Sequence, residues 1–237
     1  SINNFKKILS INNEFADAHY NLGIVYKKIS ALNESIDHYH KCIKINPKKF
    51  EAYNNLGNIY KDEQRNDLAI KYYLISLEIN PNYLVALKNF GICLQNFKFL
   101  ETSQIIEKHI INLLKEDKIL RPVDVVNSLI SYLYLDKNIE LTFNDYKKLS
   151  KENGLENLIE DTLKIKILIN LLEVTPITDV KIENFLKYIR SEILLNISLI
   201  NNKMDALKLI SSIAIQCYLN EYIYSATEEE EKNLIEL

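Results

Sequence analysis

The stretch EAYNNLGNIYKDEQRNDLAIKYYLISLEINPN, residues 51–82, follows a pattern that also occurs 34 residues earlier in the chain. The residues that recur at this spacing are Leu22-Gly23 and Leu56-Gly57, Tyr26 and Tyr60, Tyr39 and Tyr73, and Asn46-Pro47 and Asn80-Pro81. A further shift of 34 residues reaches Phe90-Gly91. A fixed period of this length indicates a stacked repeat architecture, in which each repeat is one supersecondary unit.

Each repeat is predicted to be a pair of helices. When the units are counted from Ala16, Phe50 and Leu84, position 8 is glycine in all three. A residue without a Cβ atom at this position lets the second helix of the unit approach the first closely. Pro47 and Pro81 end the second helix, because proline has no N–H to donate and disfavours helix in the residue before it. A helix pair of this size cannot bury its apolar face alone, so neighbouring units must stack.

This 34-residue pattern resembles the tetratricopeptide repeat family. The resemblance implies an all-α solenoid of helix pairs, in which the first helices line a concave groove that binds protein or peptide partners. The third unit departs from the pattern, because position 24 is Glu107 and no proline follows near residue 115. We therefore expect two regions. Residues 1–118 should hold a half repeat, two good units and one degenerate unit, and residues 119–237 a helical region of degenerate repeats or a capping bundle.

The composition favours a helical chain that neither binds nucleic acid nor crosses a membrane. Glycine and proline number only four each among 237 residues, which leaves little turn chemistry for β-hairpins. The 29 basic and 32 acidic residues are spread along the chain and give a net charge of −3, so no basic patch marks a nucleic-acid site. No stretch approaches the roughly 18 apolar residues of a membrane span. The three cysteines are too few and too far apart for a disulfide framework, so we expect a reducing, cytoplasmic location.

The second half of the chain is predicted to be helical, although it carries no 34-residue signature. Arg121-Pro122 marks a break, Asn153-Gly154 is a helix stop, and Thr175-Pro176 separates two apolar helices. The predicted helices lie near residues 123–136, 143–153, 155–173, 179–200, 203–225 and 228–237. The last of them begins with a capping box at residues 227–230.

Two segments of this half, residues 171–195 and 213–231, resemble the helical region before the methyltransferase domain of certain bacterial tetratricopeptide-repeat proteins. Those proteins are class I S-adenosylmethionine-dependent methyltransferases. The resemblance implies an alternative function, in which the chain is the substrate-recruiting N-terminal part of a methyltransferase or another group-transfer enzyme. The catalytic domain would then lie beyond residue 237. Residues 1–10 match only the second half of a repeat, which also suggests a fragment of a longer protein.

No catalytic, cofactor or metal site is expected within the chain itself. Gly154 is the only glycine after residue 91, so a glycine-rich loop for a cofactor is missing. His38 and His40 cannot share a metal ion, because residues two apart on a helix point to nearly opposite faces. His19 and His109 have no ligand partners in the sequence, so we interpret them as packing residues.

One row of polar residues points to a binding surface. Position 6 is asparagine in all three units, at Asn21, Asn55 and Asn89, which we call the asparagine row. Because a carboxamide both donates and accepts, each asparagine can bind a peptide backbone without reading its side chain. The tetratricopeptide resemblance places position 6 on the groove, and the row resembles the asparagine ladder in the repeats of O-linked N-acetylglucosamine transferase. The alternative is that asparagine is simply frequent in this composition.

The same register predicts the neighbours of the asparagine row in the groove. They are Tyr20, Asn54 and Lys88 at position 5, Asn58 at position 9, and Lys27 and Lys61 at position 12. Lys27 and Lys61 favour acidic residues in an extended peptide partner. Lysine at position 5 never occurs with asparagine at position 9 in one unit, which argues against recognition of a free C-terminal carboxylate. The asparagine side chains are expected to lie in solvent when no peptide is bound.

Overall fold

A computed structural model describes residues 2–95, 97–116, 118–198 and 200–219. Every regular element among these residues is helical, which confirms the predicted all-α fold. The helices are α1 (Ile2–Ile11), α2 (Ala16–Lys28), α3 (Leu32–Ile45), α4 (Phe50–Asp62), α5 (Asn66–Ile79), α6 (Leu84–Leu94), α7 (Gln104–Lys115), α8 (Val126–Leu133), α9 (Lys137–Asn153), α10 (Leu155–Lys164), α11 (Lys166–Val174), α12 (Val180–Asn196) and α13 (Lys203–Leu219). A short 3-10 turn, Pro122–Asp124, precedes α8.

The chain divides into two compact units, Ser1–Phe97 and Lys98–Leu237. The first unit contains α1–α6, and the second contains α7–α13. Helix α7, which the sequence pattern counts with the third repeat, lies in the second unit. The domain boundary predicted near residue 118 stays a prediction.

In the first unit, the helices follow the repeat register. Helices α2, α4 and α6 begin at the three residues from which the units were counted. Helices α3 and α5 end one residue before the two Asn-Pro pairs, which confirms proline as the helix stop. The side chains of Asn46 and Asn80 accept hydrogen bonds from the backbone N–H groups of Lys48 and Asn82, at 3.1 and 3.2 Å. These contacts explain why asparagine precedes each proline, since they fix the turn into the next helix.

The helix pairs are held together by a contact between glycine and tyrosine. A Cβ atom built on Gly23 would lie 2.6 Å from Cε1 of Tyr39, and one on Gly57 would lie 2.5 Å from Cε1 of Tyr73. Both tyrosine rings are buried. The prediction that position 8 permits close approach of the second helix is therefore confirmed, and position 24 supplies the ring that occupies the space.

Successive repeats stack through a shared core. A buried cluster joins Tyr39 and Cys42 of α3 to Ala52, Leu56 and Ile59 of α4. The second helix of one unit and the first helix of the next thus bury each other's apolar faces, as a solenoid requires.

Two predicted helix boundaries in the second unit are confirmed. Helix α9 ends at Asn153, and Gly154 adopts a φ of +86°, the left-handed region that favours glycine. Thr175-Pro176 lies between α11 and α12, and the carboxylate of Asp179 caps α12 by accepting from the N–H groups of Lys181 and Ile182. The predicted helix at 228–237 and the end of the one at 203–225 lie outside the described residues.

The single helix predicted at 155–173 is wrong, because α10 and α11 are separated at Ile165. Thr162 lies in the last turn of α10, and its hydroxyl donates to the Leu158 carbonyl at 2.6 Å, a bond that bends helices. Helix α9 starts earlier than predicted, at Lys137, because Asp136 caps it through the N–H of Asn138. Across the described ranges, no helix is both long enough and apolar enough to span a bilayer.

Candidate functional site

The first helices of successive repeats are linked by side-chain hydrogen bonds at the asparagine row. Nδ2 of Asn55 in α4 donates to the hydroxyl of Tyr20 in α2 at 3.4 Å. Nδ2 of Asn89 in α6 donates to Oδ1 of Asn54 in α4 at 2.9 Å. Both bonds join position 6 of one unit to position 5 of the unit before it. Asn55 and Asn89 of the asparagine row are therefore part of the contact between repeats.

The expectation that these asparagines lie in solvent is wrong for Asn55 and Asn89. Both are half-buried, and each already uses one amide hydrogen. A carboxamide has two donor hydrogens and one acceptor oxygen, so Asn89 keeps one N–H and its Oδ1 for another partner. Asn55 also faces the hydroxyl of Tyr39 through its amide, so its Oδ1 is the group that stays available. Asn21 is also half-buried. The contact with the neighbouring repeat fixes the orientation of the Asn55 and Asn89 amides.

Two of the predicted groove neighbours are engaged inside the protein. Asn54 is only 3% exposed, and its Oδ1 accepts the bond from Asn89. Asn58 is half-buried, and its Oδ1 accepts a hydrogen bond from the hydroxyl of Tyr73 at 2.8 Å. The helical register could not show that protein groups occupy the side-chain oxygens of both residues.

The lysines near the row differ in whether a carboxylate lies close to the ammonium group. Lys27 lies 3.1 Å from a carboxylate oxygen of Asp62. Lys88 is exposed and Lys61 half-buried, and neither forms an ion pair within the described part of the chain. Lys61 and Lys88 are therefore the two of these lysines without a carboxylate partner among the described residues.

The register missed Lys49, which lies just before α4. Its ammonium group lies 4.9 Å from the centre of the Tyr20 ring and 3.0 Å from a carboxylate oxygen of Asp17. Lys49 is the last residue of the unit counted from Ala16 and lies in the turn before α4, so a register built on the first helices did not include it. Burial raises the pKa of Tyr20, whose hydroxyl remains protonated and accepts from Asn55.

The histidines form a packing contact between α2 and α3. The ring of His38 stacks on Tyr26 with centroids 5.3 Å apart, in the same way that Tyr72 stacks on Tyr60 one repeat later. Nδ1 of His38 lies 2.9 Å from Nδ1 of His19. Because Nε2 of His19 lies 3.3 Å from the carbonyl oxygen of Asn13 and must donate to it, Nδ1 of His19 is the acceptor and His38 donates.

This pair should make stability depend on pH. Burial, as the largest cause, lowers the pKa of both His19 and His38 below the usual 6.5, and the charge of Lys41 lowers them further while Asp37 opposes. Lys6 also lowers the pKa of His38. The unfolded chain therefore binds protons more readily, so the free energy of unfolding should fall as the pH drops through about 6.5.

Denaturant unfolding between about pH 7.5 and about pH 5.5 measures this effect. His38→Tyr is the matched control, because it introduces the residue found at the equivalent position of the next repeat. The variant should lose less stability over this range than the wild type. Equal losses in the two proteins would show that the histidine pair does not cause the pH dependence.

The other candidates for chemistry are engaged in packing. His40 points towards Tyr72, with ring centroids 6.2 Å apart, so it does not join His38 at one ion. Among the described residues, no group of three or more histidine, cysteine, aspartate or glutamate side chains could hold a metal. Burial raises the pKa of Cys42 and of Cys93 to about 11, which keeps both as unreactive thiols at neutral pH.

Comparison with known proteins identifies the repeats. Residues 16–49 and 50–83 each match the family model described as "Tetratricopeptide repeat". These two segments correspond to the units α2–α3 and α4–α5, so the chain contains tetratricopeptide repeats. No match to a curated protein was found. The family match ends at residue 83, so the resemblance of the second half to methyltransferase-associated regions stays a prediction.

Among solved structures, one similar chain is described as "Crystal structure of YrrB: a TPR protein with an unusual peptide-binding site". The alignment covers 100% of each chain, with 14% sequence identity and a TM-score of 0.39. A TM-score of this size is too low to support a functional argument.

Proposed function

We propose that the first helices of the repeats bind an extended peptide segment of a partner protein through the asparagine row. Tetratricopeptide repeats bind protein or peptide partners, which supports a scaffold function. The observation that carries the proposal is the pair of hydrogen bonds from Asn55 to Tyr20 and from Asn89 to Asn54. Each bond holds the amide of position 6 against position 5 of the preceding repeat. Both amides keep the acceptor Oδ1, and Asn89 also keeps one N–H.

The spacing of the row suits an extended chain. Packed helices lie about 8–10 Å apart, and a strand advances about 3.3 Å per residue. One repeat therefore corresponds to about three residues of peptide. Successive asparagines can bind the backbone at every third residue, which makes recognition tolerant of the peptide sequence.

In this proposal, Tyr20 and Asn54 hold the amides of Asn55 and Asn89 in the orientation that binds the peptide. An amide that is already held in place loses less conformational freedom when a peptide binds, and this reduces the entropic cost of association. The short bond at Asn54 holds Asn89 more firmly than the 3.4 Å contact at Tyr20 holds Asn55. Asn89 should therefore contribute more to affinity than Asn55.

The free lysines should select the charge of the peptide. Replacing Lys61 or Lys88 with glutamine should weaken binding of acidic peptides several-fold at low salt, and this effect should shrink at high salt, because exposed charges are screened. Lys27→Gln is the matched control, since Asp62 already compensates that charge. Titrations of one acidic and one neutral peptide at two salt concentrations measure the difference. An equal loss in all three variants would show that this charge distribution does not set the preference.

A protein partner in the cytoplasm fits the remaining features. Cys42, Cys93 and Cys217 are free, which is consistent with a reducing compartment. The net charge of −3 favours a protein over a nucleic acid as the partner.

The location of the binding surface can be tested directly. Peptides selected from an unbiased library against the full chain would be synthesised with a photo-crosslinking group at their centre. Labelling should map to α2, α4 and α6. Labelling confined to α3 and α5, or to residues after Lys98, would show that the peptide binds elsewhere.

A further inference from the structure

The second unit contains a cavity of about 810 Å3 that is independent of the asparagine row. Helices α7, α8, α9, α10 and α11 all contribute side chains to its wall. Sites for small molecules have volumes of roughly 300–1,000 Å3, and they lie preferentially between helices in helical folds. The volume is therefore sufficient for a whole small molecule.

One side of this α7–α11 cavity is apolar. Leu133, Leu158 and Ile167 line it, and each is at most 4% exposed. These three side chains come from α8, α10 and α11, so the apolar side does not belong to one helix face alone. A ligand that fits here gains from burying an apolar body against them.

Four charged side chains also line the cavity, and the three acids among them outnumber the single lysine. Lys164 lies 3.1 Å from carboxylate oxygens of both Glu160 and Asp161, so Asp161 has a positive partner and Lys164 has no charge left for the other acids. Glu107 and Asp136 are half-buried and form no ion pair within the described ranges. The cavity therefore holds two carboxylates whose charge no basic side chain offsets.

Neighbouring polar groups do not replace the missing cation. The hydroxyl of Tyr132 donates to the carbonyl of Ser103 at 3.0 Å and accepts from its N–H at 2.8 Å, so it has no hydrogen left for Glu107. Among the described residues, the carboxylate of Asp136 accepts the N–H of Asn138, at 2.8 Å, as the cap of α9, and this N–H carries no full positive charge. Half-buried carboxylates without a positive partner lose part of their hydration, and a bound cation recovers that loss.

We propose that the α7–α11 cavity binds a small organic cation, with an apolar body against the leucine and isoleucine side and an ammonium group at Glu107 and Asp136. Neutral molecules of the same shape fill the apolar side but leave both carboxylates unpaired. Anions meet unfavourable charge. The site is thus selective for amines.

Tryptamine and 3-ethylindole form a matched pair of probes, since they share the indole body and only tryptamine carries an ammonium group. Titration of the full chain, followed by amide NMR, should show saturable shifts with tryptamine at residues that line the cavity. Binding of 3-ethylindole should be about tenfold weaker or more, which corresponds to the loss of one charge-assisted contact.

The double variant Glu107→Gln and Asp136→Asn removes the charges and keeps the side-chain shapes. Asparagine also caps a helix well, so α9 should remain intact. Tryptamine affinity should fall about tenfold or more in this variant, while Glu183→Gln in α12, away from the cavity, should leave it unchanged. No saturable tryptamine binding, equal binding of the two probes, or unchanged affinity in the folded double variant would each overturn the proposal.

Discussion

Replacing Tyr73 with alanine should lower the free energy of unfolding by about 3–5 kcal/mol, the usual cost of removing a buried aromatic side chain. The ring is fully buried between α4 and α5, where it lies against Gly57. Its hydroxyl also donates to Asn58 at 2.8 Å. Tyr73→Phe separates the two contributions, because it keeps the ring and removes only the hydrogen bond, at a cost of about 1 kcal/mol.

A double-mutant cycle with Gly57→Ala tests why the ring needs a glycine beside it. In the wild type, the new Cβ atom would lie 2.5 Å from the Tyr73 ring, so either the ring or the helix must move, at a cost of about 1–3 kcal/mol. In the Tyr73→Ala background the same methyl group enters vacated space. Gly57→Ala should then stabilise the protein by up to about 1 kcal/mol, because alanine has the higher helix propensity.

The cycle is measured by equilibrium unfolding in denaturant of the wild type, Gly57→Ala, Tyr73→Ala and the double variant. The expected result is a change of sign of the Gly57→Ala effect between the two backgrounds. If the substitution has the same effect in both, then contact with Tyr73 is not the reason for glycine at position 8.

The glycine–tyrosine contact could be predicted in part because it recurs. Two copies 34 residues apart fixed the register, and the register placed position 8 where the second helix approaches. The first helices of all three units begin where that register starts. The repeat pattern could not predict how deeply each side chain is buried. Asn54 shares its position with exposed Lys88, yet it is buried, because Asn89 of the next unit provides its hydrogen bond.

In the second unit no repeat was available, so helix ends were predicted from single residues. The predictions that used glycine or proline were correct, and a break without either residue was missed. Gly154 ends α9 because glycine readily adopts the positive φ that this turn requires. Pro176 separates α11 from α12 because proline has no N–H and disfavours helix in the residue before it. The break at Ile165 carries no glycine or proline. Near this break the hydroxyl of Thr162 donates to a carbonyl of its own helix, which bends the helix. Threonine occurs too often inside helices for its presence to predict a break.

Alanine at all three positions of the asparagine row should have the second large effect, on peptide affinity. Each substitution removes up to two hydrogen bonds to the peptide, and a net loss of roughly 0.5–1.5 kcal/mol per bond corresponds to a few-fold to over a hundredfold per site. The loss should be similar for peptides of different sequence, because the peptide backbone is what the amides contact.

The substitutions should differ in their effect on stability. Asn89→Ala leaves the buried oxygen of Asn54 without its donor, at a cost of about 1–3 kcal/mol. Asn55→Ala removes a long 3.4 Å contact with Tyr20, which is half-buried and can be hydrated, so it should cost less. Asn89→Ala combined with Asn54→Leu removes both partners and replaces the acceptor by a similarly sized apolar group, so it should recover part of the loss. Affinities must therefore be compared under conditions in which each variant is fully folded.

The most direct test of peptide binding by the asparagine row is the affinity of the triple variant, Asn21→Ala, Asn55→Ala and Asn89→Ala. Peptides from an unbiased library would be titrated into wild-type and variant chains, with circular dichroism confirming that both remain helical. A loss of about tenfold or more for every peptide, whatever its sequence, is the expected result. Undiminished binding by a folded triple variant would contradict the proposal and leave the recurrence of asparagine as a feature of composition.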